Sequence, residues 1–257
     1  MNLQNKISSW LEKYLVENNL SSFVIGVSGG IDSAVTSALC AQTNKKTIVL
    51  TMPIHQNPEE TNRGKNHINW LKRKYRKVED LHIDLTDTYE ILKETVPVKF
   101  QSDLSLANTR ARIRMSTLYL IAGSSNGLVV GTGNKVEDFG VGFFTKYGDG
   151  GVDISPIADL MKSEVYALGK EIGIIEEIIG AQPTDGLWND GRTDEDQLGV
   201  SYDDLEWAMK HEQEKKNDTK RKSDESLSEF QKNIMSVYKK HRFLNIHKMK
   251  KIPVFKK

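Results

Sequence analysis

"FVIGVSGGIDSA", residues 23–34, decides how this chain folds. Its first four residues read as a buried strand, and the "AVTSALCAQ" that follows Ser33 reads as an apolar helix. Between them the chain turns through two glycines. Successive backbone N–H groups in such a turn, at the start of a helix, form a concave site that attracts anions. Gly29 and Gly30 can take positive φ and let a ligand approach the backbone closely, and Ser28 and Ser33 offer hydroxyls to phosphate oxygens. Asp32 is the anomaly, because a carboxylate beside a phosphate repels it unless a divalent cation such as Mg²⁺ joins the two. A plain helix start explains Asp32 or Ser33 as an N-cap, but not both glycines and both serines. The spacing matches neither G-x-x-x-x-G-K-[ST] nor G-x-G-x-x-G.

Working outward, Leu3, Ile7, Leu11, Tyr14 and Leu15 recur at helical spacing and predict a helix over residues 2–18. "SFVIGV", "KTIVLTMP", "VEDLHIDL" and "NGLVVGTG" predict buried strands beginning near positions 22, 46, 78 and 126. Helical patterns cover 32–42, 58–75, 86–96, 104–122, 158–172, 201–215 and 227–243. Strand alternating with helix predicts an α/β fold, a doubly wound parallel sheet flanked by helices. In such sheets ligands bind beyond the carboxyl ends of the strands, so the chemistry belongs to the residues that follow those runs.

The 257 residues are 38% hydrophobic and 28% charged, enough for one large domain or two small ones, and a single domain over 1–257 is expected. Mobile segments are expected near 97–104, 140–152 and 185–226, with a polar connection over 212–226 and a basic tail. A net charge of +1 gives no global field for nucleic acid or an anionic membrane, and neither is expected as a partner. The apolar runs fall short of the roughly 20 residues that span a bilayer, and Glu12 and Glu17 stand where a signal peptide is apolar, so a cytoplasmic protein is expected. Cys40 is the only cysteine; its apolar helical setting reads as a buried thiol rather than a nucleophile.

A second constellation follows the fourth strand: "GTGNKVEDFGVGFFTKYGDGGVDISP", residues 131–156. Glycine, threonine, lysine and acids crowd the end of a buried strand, as in a binding site, although a glycine-rich surface turn has similar composition.

"SGGIDS" resembles the S-G-G-x-D-S hallmark of the PP-loop ATP pyrophosphatases, which cleave ATP between the α and β phosphates. With "ANTRARIRM", "GTGNKVE", "FFTKYGDGG", "QPTDGL" and the terminal "HK", in this order, nearly the whole chain resembles the NAD synthetase family. The resemblance implies an adenine nucleotide alpha hydrolase-like, Rossmann-like PP-loop fold. It implies ATP-dependent amidation of deamido-NAD⁺ to NAD⁺ with ammonia, through an adenylated intermediate, releasing AMP and diphosphate. It places Ser28, Gly29, Gly30, Ile31, Asp32, Ser33, Thr132, Lys162 and Thr184 on ATP, and Asp32 with Glu137 on Mg²⁺. Arg112, Lys146, Asp153, His247 and Lys248 fall on deamido-NAD⁺, and Asp32, Lys162 and Lys146 form the catalytic set. A homodimer is implied, with α-helical contact surfaces over 2–18 or 104–122. Free ammonia is expected as the nitrogen source, since the chain is too short to add a nitrilase-like amidase domain.

Three departures stand out. Asn134 replaces a histidine-containing version of its loop, leaving its role open, and Arg110 adds a charge in "ANTRAR". The acidic stretch 185–199, with Asp185, Asp190, Asp194, Glu195 and Asp196, reads equally as a lid or a solvated loop. Basic runs at 63–77 and 237–257 keep a tRNA-modifying or other amidating PP-loop enzyme as an alternative. The other is a nucleotide sensor without turnover, which has no need of Asp32, Glu137 and Lys146 together.

Overall fold

The computed structural model describes residues 1–184, 186–188, 191–217 and 227–257. Four strands, β1 (Ser22–Gly26), β2 (Lys46–Thr51), β3 (Val78–His82) and β4 (Gly127–Val129), form one parallel sheet in the order β3-β2-β1-β4. The chain first winds from β1 toward β2 and β3, then returns to place β4 on the other side of β1. That reversal opens a crevice at the carboxyl end of β1. Val24 pairs with Ile48 on one side and Val129 on the other.

Both faces of the sheet are covered, which is why β1 and β2 read as unbroken apolar runs. Phe23, Ile25 and Val49 face α1 (Leu3–Glu17), α2 (Ile31–Gln42) and α3 (Pro58–Lys74). Val24, Ile48 and Leu50 face α4 (Thr86–Thr95) and α5 (Asp103–Ser124). On α5, Ala107, Ala111, Met115, Leu118 and Ala122 recur at three- and four-residue spacing and are buried against the sheet. Cys40 is fully buried in α2, and burial pushes its thiol far up, as the buried-thiol reading requires.

The rest of the chain builds a C-terminal layer: α6 (Lys162–Ile172), α7 (Glu176–Ile179), α8 (Asp194–Leu198), α9 (Tyr202–Asn217) and α10 (Glu229–Met249). Around a short π-helix, Val136–Val141, it has its own core, with Val136, Leu198, Leu205 and Ile234 all buried. No helix among the described residues is long and apolar enough to cross a membrane.

Several expectations are corrected. β3 is an exposed edge, not a buried strand; Glu79 and Asp80 pair with Lys46 at 3.0 Å and Lys72 at 2.5 Å, charges that blunt an open edge. The helix expected from 158 starts at Lys162, where Met161 N–H is capped by Glu164 at 2.7 Å. The last helix runs six residues past 243 to Met249, so His247 and Lys248 lie on α10 rather than in a tail. The 97–104 segment holds a 3₁₀ turn, Val98–Phe100, and the start of α5. The 185–226 span holds α8 and α9; Asp185, Asp190 and 218–226 lie outside the described residues.

Gly29 adopts φ +92°, but Gly30 is the α2 N-cap at φ −94°, a value open to any residue, so the turn asks for left-handed backbone only once. A Cβ on Gly29 would lie 2.5 Å from the Glu60 carbonyl oxygen of α3. Gly29→Ala is therefore expected to cost about 1–3 kcal/mol of stability, read as a lower urea midpoint. An unchanged midpoint would show that α3 yields without cost.

Candidate active site

The turn between β1 and α2 shapes itself. Ser28 N–H donates to Ser33 Oγ at 3.2 Å, Ser33 Oγ–H donates to Gly30 O at 3.0 Å, and Gly30 N–H donates to Ser28 Oγ at 3.2 Å. The serines thus hold the concave backbone as well as facing the cavity above it. Ile31 is buried against Gly169 of α6, tying the first turn of α2 to the C-terminal layer.

Asp32, in that first turn, does not stand alone. Lys162 Nζ sits 2.5 Å from Asp32 Oδ2 and 3.0 Å from Glu137 Oε1, with Lys162 only 4% exposed. Burial works against a charged lysine, but Asp32 and Glu137 outweigh it and hold the ammonium well above the ordinary lysine range. Burial pushes the Asp32 carboxyl up, opposed by Lys162 and reinforced by Glu137. Lys162 is the first residue of α6, where the helix dipole disfavours a cation, so the two carboxylates also account for its place. Glu206 of α9 accepts from Ser163 N–H at 2.8 Å and its hydroxyl at 2.7 Å, closing the same helix end.

Sequence reasoning missed four residues around this cluster. Asn134, left without a role, is fully buried: its Nδ2 donates to Asp32 Oδ1 at 3.1 Å, and its Oδ1 accepts from Val136 and Glu137 N–H. Tyr202 donates to Glu137 Oε1 at 2.6 Å, lies 3.1 Å from Asp194 Oδ2, and carries Lys162 Nζ 4.6 Å from its ring centre. Burial, Glu137 and Asp194 drive its phenol far up, so it remains a donor. Asp194 belongs to the acidic stretch 185–199, which at this point is a buried wall of the site rather than a solvated loop. Asp138 is pushed up to about 8, chiefly by burial and then by Glu137, Asp149 and Asp32. A Cβ on Gly133 would fall 2.3 Å from both its carboxylate oxygens, so a larger residue there would displace the Asp138 side chain. Tyr202 lies 65 residues from Glu137, and no local pattern could have joined them.

The donor set suits a hard cation. Among the described residues no group of three or more His, Cys, Asp or Glu is placed for a metal. Mg²⁺ asks for less, namely one or two carboxylates with phosphate oxygens and water. Asp32 and Glu137 already converge on one cation, the Lys162 ammonium.

A cavity of about 910 Å³ extends from the turn to α10, near the upper end of the ~300–1,000 Å³ usual for small-molecule sites. Ser28, Gly30, Ile31, Asp32, Ser33, Thr132, Glu137, Lys162 and Thr184 line one end; Arg112, Lys146, His247 and Lys248 line the other. Lys248 Nζ donates to Phe144 O at 2.7 Å, and Arg112 Nε to Lys146 O at 3.3 Å, docking α10 and α5 onto the "FFTKYGDGG" loop. Asn108 of the "ANTRAR" motif accepts from the Thr145 hydroxyl at 2.7 Å in that loop. Arg110 reaches Leu187 O at 2.9 Å and so braces the segment that covers the cavity. Two candidates are not brought in. Gly29 lies under α3, and Asp153 faces outward, accepting from Tyr119 OH at 2.9 Å and Val129 N–H at 2.8 Å.

Residues 3–250 match the NAD synthase family. The chain is 39% identical over 206 residues to the NH(3)-dependent NAD(+) synthetase of Carboxydothermus hydrogenoformans, spanning 78% of this chain and 82% of that one. It is 38% identical to the Methanosarcina acetivorans protein of the same name, over 77% of each. Among solved structures it is similar to the NMN synthetase from Francisella tularensis, with TM-score 0.82, 31% identity, and 98% and 96% of the two chains covered. It is also similar to the NH3-dependent NAD synthetase from Campylobacter jejuni, at TM-score 0.79 and 26% identity over the full length of both.

Asp138 yields a pH signature. Its folded value, about 8, lies above its unfolded one, so its stabilising contribution is complete below about pH 4 and is lost as pH rises toward 8. Asp138→Asn is therefore expected to raise the unfolding temperature of the nucleotide-free protein at pH 8 and to leave it nearly unchanged at pH 4. Equal shifts at both pH values would remove the electrostatic account.

Proposed function

The chain belongs to the NAD synthase family, and from that membership we propose that it amidates the nicotinate carboxylate of deamido-NAD⁺ with ammonia at the expense of ATP. It is a ligase that forms a C–N bond, with ATP as co-substrate. The observation that carries the reading is the Asp32–Lys162–Glu137 cluster, buried at the mouth of the β1–α2 turn and opening onto a cavity that reaches His247 and Lys248.

A carboxylate resists ammonia because its oxygen leaves poorly. Attack of that oxygen on the α-phosphorus breaks the α–β P–O bond and releases diphosphate, leaving a mixed anhydride. Ammonia nitrogen then attacks the carbonyl carbon, loses a proton, and AMP departs. The work of the protein is positioning and charge neutralisation. The turn from Ser28 to Ser33, with the N–H groups that open α2, cradles the departing diphosphate. Lys162 faces the developing charge, with Thr132 and Thr184 on the nucleotide. Asp32 and Glu137 would hold Mg²⁺, whose charge, when bound, offsets that of the phosphates. Arg112, Lys146, His247 and Lys248 receive the dinucleotide, and Lys146 meets its anionic groups.

Residues 1–257 act as one domain in this reading, since the cavity takes its walls from the sheet layers and the C-terminal helices alike. For a homodimer, the exposed Leu104, Tyr119 and Leu120 of α5 are candidate contact residues. The demand for ATP supports a cytoplasmic setting. A second reading follows from the Francisella neighbour, whose name carries a mononucleotide product: nicotinate mononucleotide as the substrate in place of the dinucleotide.

Purified protein with ATP, Mg²⁺, ammonium and deamido-NAD⁺ is expected to form AMP and NAD⁺ in equal amounts. Formation of ADP, or of AMP without an amidated product, would sink the proposal; faster turnover of nicotinate mononucleotide would favour the second reading. Asp32→Asn, which keeps a partner for Lys162, is expected to lower kcat by about 10²–10³-fold.

A further inference from the structure

Glu137 projects from the π-helix Val136–Val141, and its side chain is held at one oxygen. Lys162 Nζ at 3.0 Å and the Tyr202 hydroxyl at 2.6 Å both fall on Oε1. Among the described residues, Oε2 carries no hydrogen bond. The phenol contact has the length of a charge-assisted O–H···O⁻ bond, whereas the 3.1 Å approach to Asp194 is weaker. Tyr202 is itself fixed: its N–H donates to Glu195 Oε1 at 2.9 Å, and its ring is buried in the core that contains Leu198 and Leu205. The face of the same ring carries the Lys162 ammonium.

We propose that Tyr202 is a positioning residue for the carboxylate pair: its hydroxyl anchors Glu137 through Oε1, leaving Oε2 to meet a divalent cation on the nucleotide, while its ring seats Lys162. The proposal rests on the function argued above for what Glu137 does, and on the geometry alone for how it is held. A buried tyrosine needs a partner for its hydroxyl wherever it sits. Tyr238, equally buried in the same layer, bonds Glu212 and Arg242 and lies outside the cavity, so it is the natural control.

The test uses the full chain and Mn²⁺ as the probe, titrated by electron paramagnetic resonance in the presence of a non-hydrolysable ATP analogue, alongside steady-state kinetics. Tyr202→Phe keeps the ring and loses the hydroxyl. It is expected to weaken Mn²⁺ binding about tenfold and to lower kcat by at least about tenfold, the size of effect seen when a partner of a metal ligand is lost. KM for deamido-NAD⁺ should change little, because the substrate end of the cavity is untouched. Tyr202→Leu, which loses the ring as well, should fall further, and Tyr238→Phe should match wild type in all three. Wild-type Mn²⁺ affinity in Tyr202→Phe, or equal losses in Tyr202→Phe and Tyr238→Phe, overturns the proposal. So does a crystal structure of the wild-type protein with Mg²⁺ and the analogue in which the hydroxyl has left Glu137, a result that needs no variant to fold. If wild type forms no AMP, the functional reading fails by itself, since the Mn²⁺ comparison still decides the role of Tyr202.

Discussion

A buried ammonium between two carboxylates is the constraint on which the rest of this molecule turns. Lys162 joins α6 to α2 through Asp32 and to the π-helix through Glu137, so one ammonium ties the C-terminal layer both to the helix that covers the sheet and to its own core. Taking three charges out of water is costly, and the mutual attraction repays it only where geometry and further hydrogen bonds are good. Here Asn134 donates to Asp32 and Tyr202 donates to Glu137. A buried ion cluster is by itself weak evidence of added stability, and what this one visibly does is link α6 to α2 and to the π-helix. Removing one member leaves a buried charge uncompensated, so the site and the docking of the layers share one set of contacts.

The surroundings follow from that requirement. Glu206 closes the helix end that carries Lys162, and Gly133 leaves room for the Asp138 carboxylate beside Glu137. On the far side, α10 bonds the carbonyls the wide turn leaves open: Arg242 donates to Gly140 O at 2.9 Å and Asn245 Nδ2 to Val141 O at 3.0 Å. A π-helix widens its turn by one residue and recurs at functional sites. In this one, consecutive residues Glu137 and Asp138 both line the cavity.

Much of this was legible in the sequence, for physical reasons that differ by element. Strands buried on both faces announce themselves as apolar runs, and the turn after β1 is marked by residues that only backbone geometry and anion binding explain. β3 was legible as a strand but not as an edge, because burial depends on how many neighbours a strand finds. The end of α10 was not legible: past Phe243 the helix is held by Asn245 and Lys248 bonding a distant loop, not by a periodic apolar face. Asn134 could be noticed as unusual, yet its partner Asp32 lies 102 residues away. Lys162 was placed on the nucleotide and in the catalytic set, but its ion pair with Asp32 was not legible, because the two lie 130 residues apart. Asp153 carried a motif but faces outward, and no motif states which way a side chain turns.

The parallel sheet has a consequence for how such a chain comes to be. No two of its strands are joined by a hairpin, so every pairing closes a long loop before it returns any stabilisation, the situation that slows folding. During synthesis the inner edge of β1 stays open until Gly127–Val129 emerges, and Asp32 stays solvated until Lys162 arrives. The contacts that organise the site are thus among those a growing chain makes late. A sheet assembled ahead of them is one of the intermediates that cellular quality control must keep from pairing edge to edge with its neighbours.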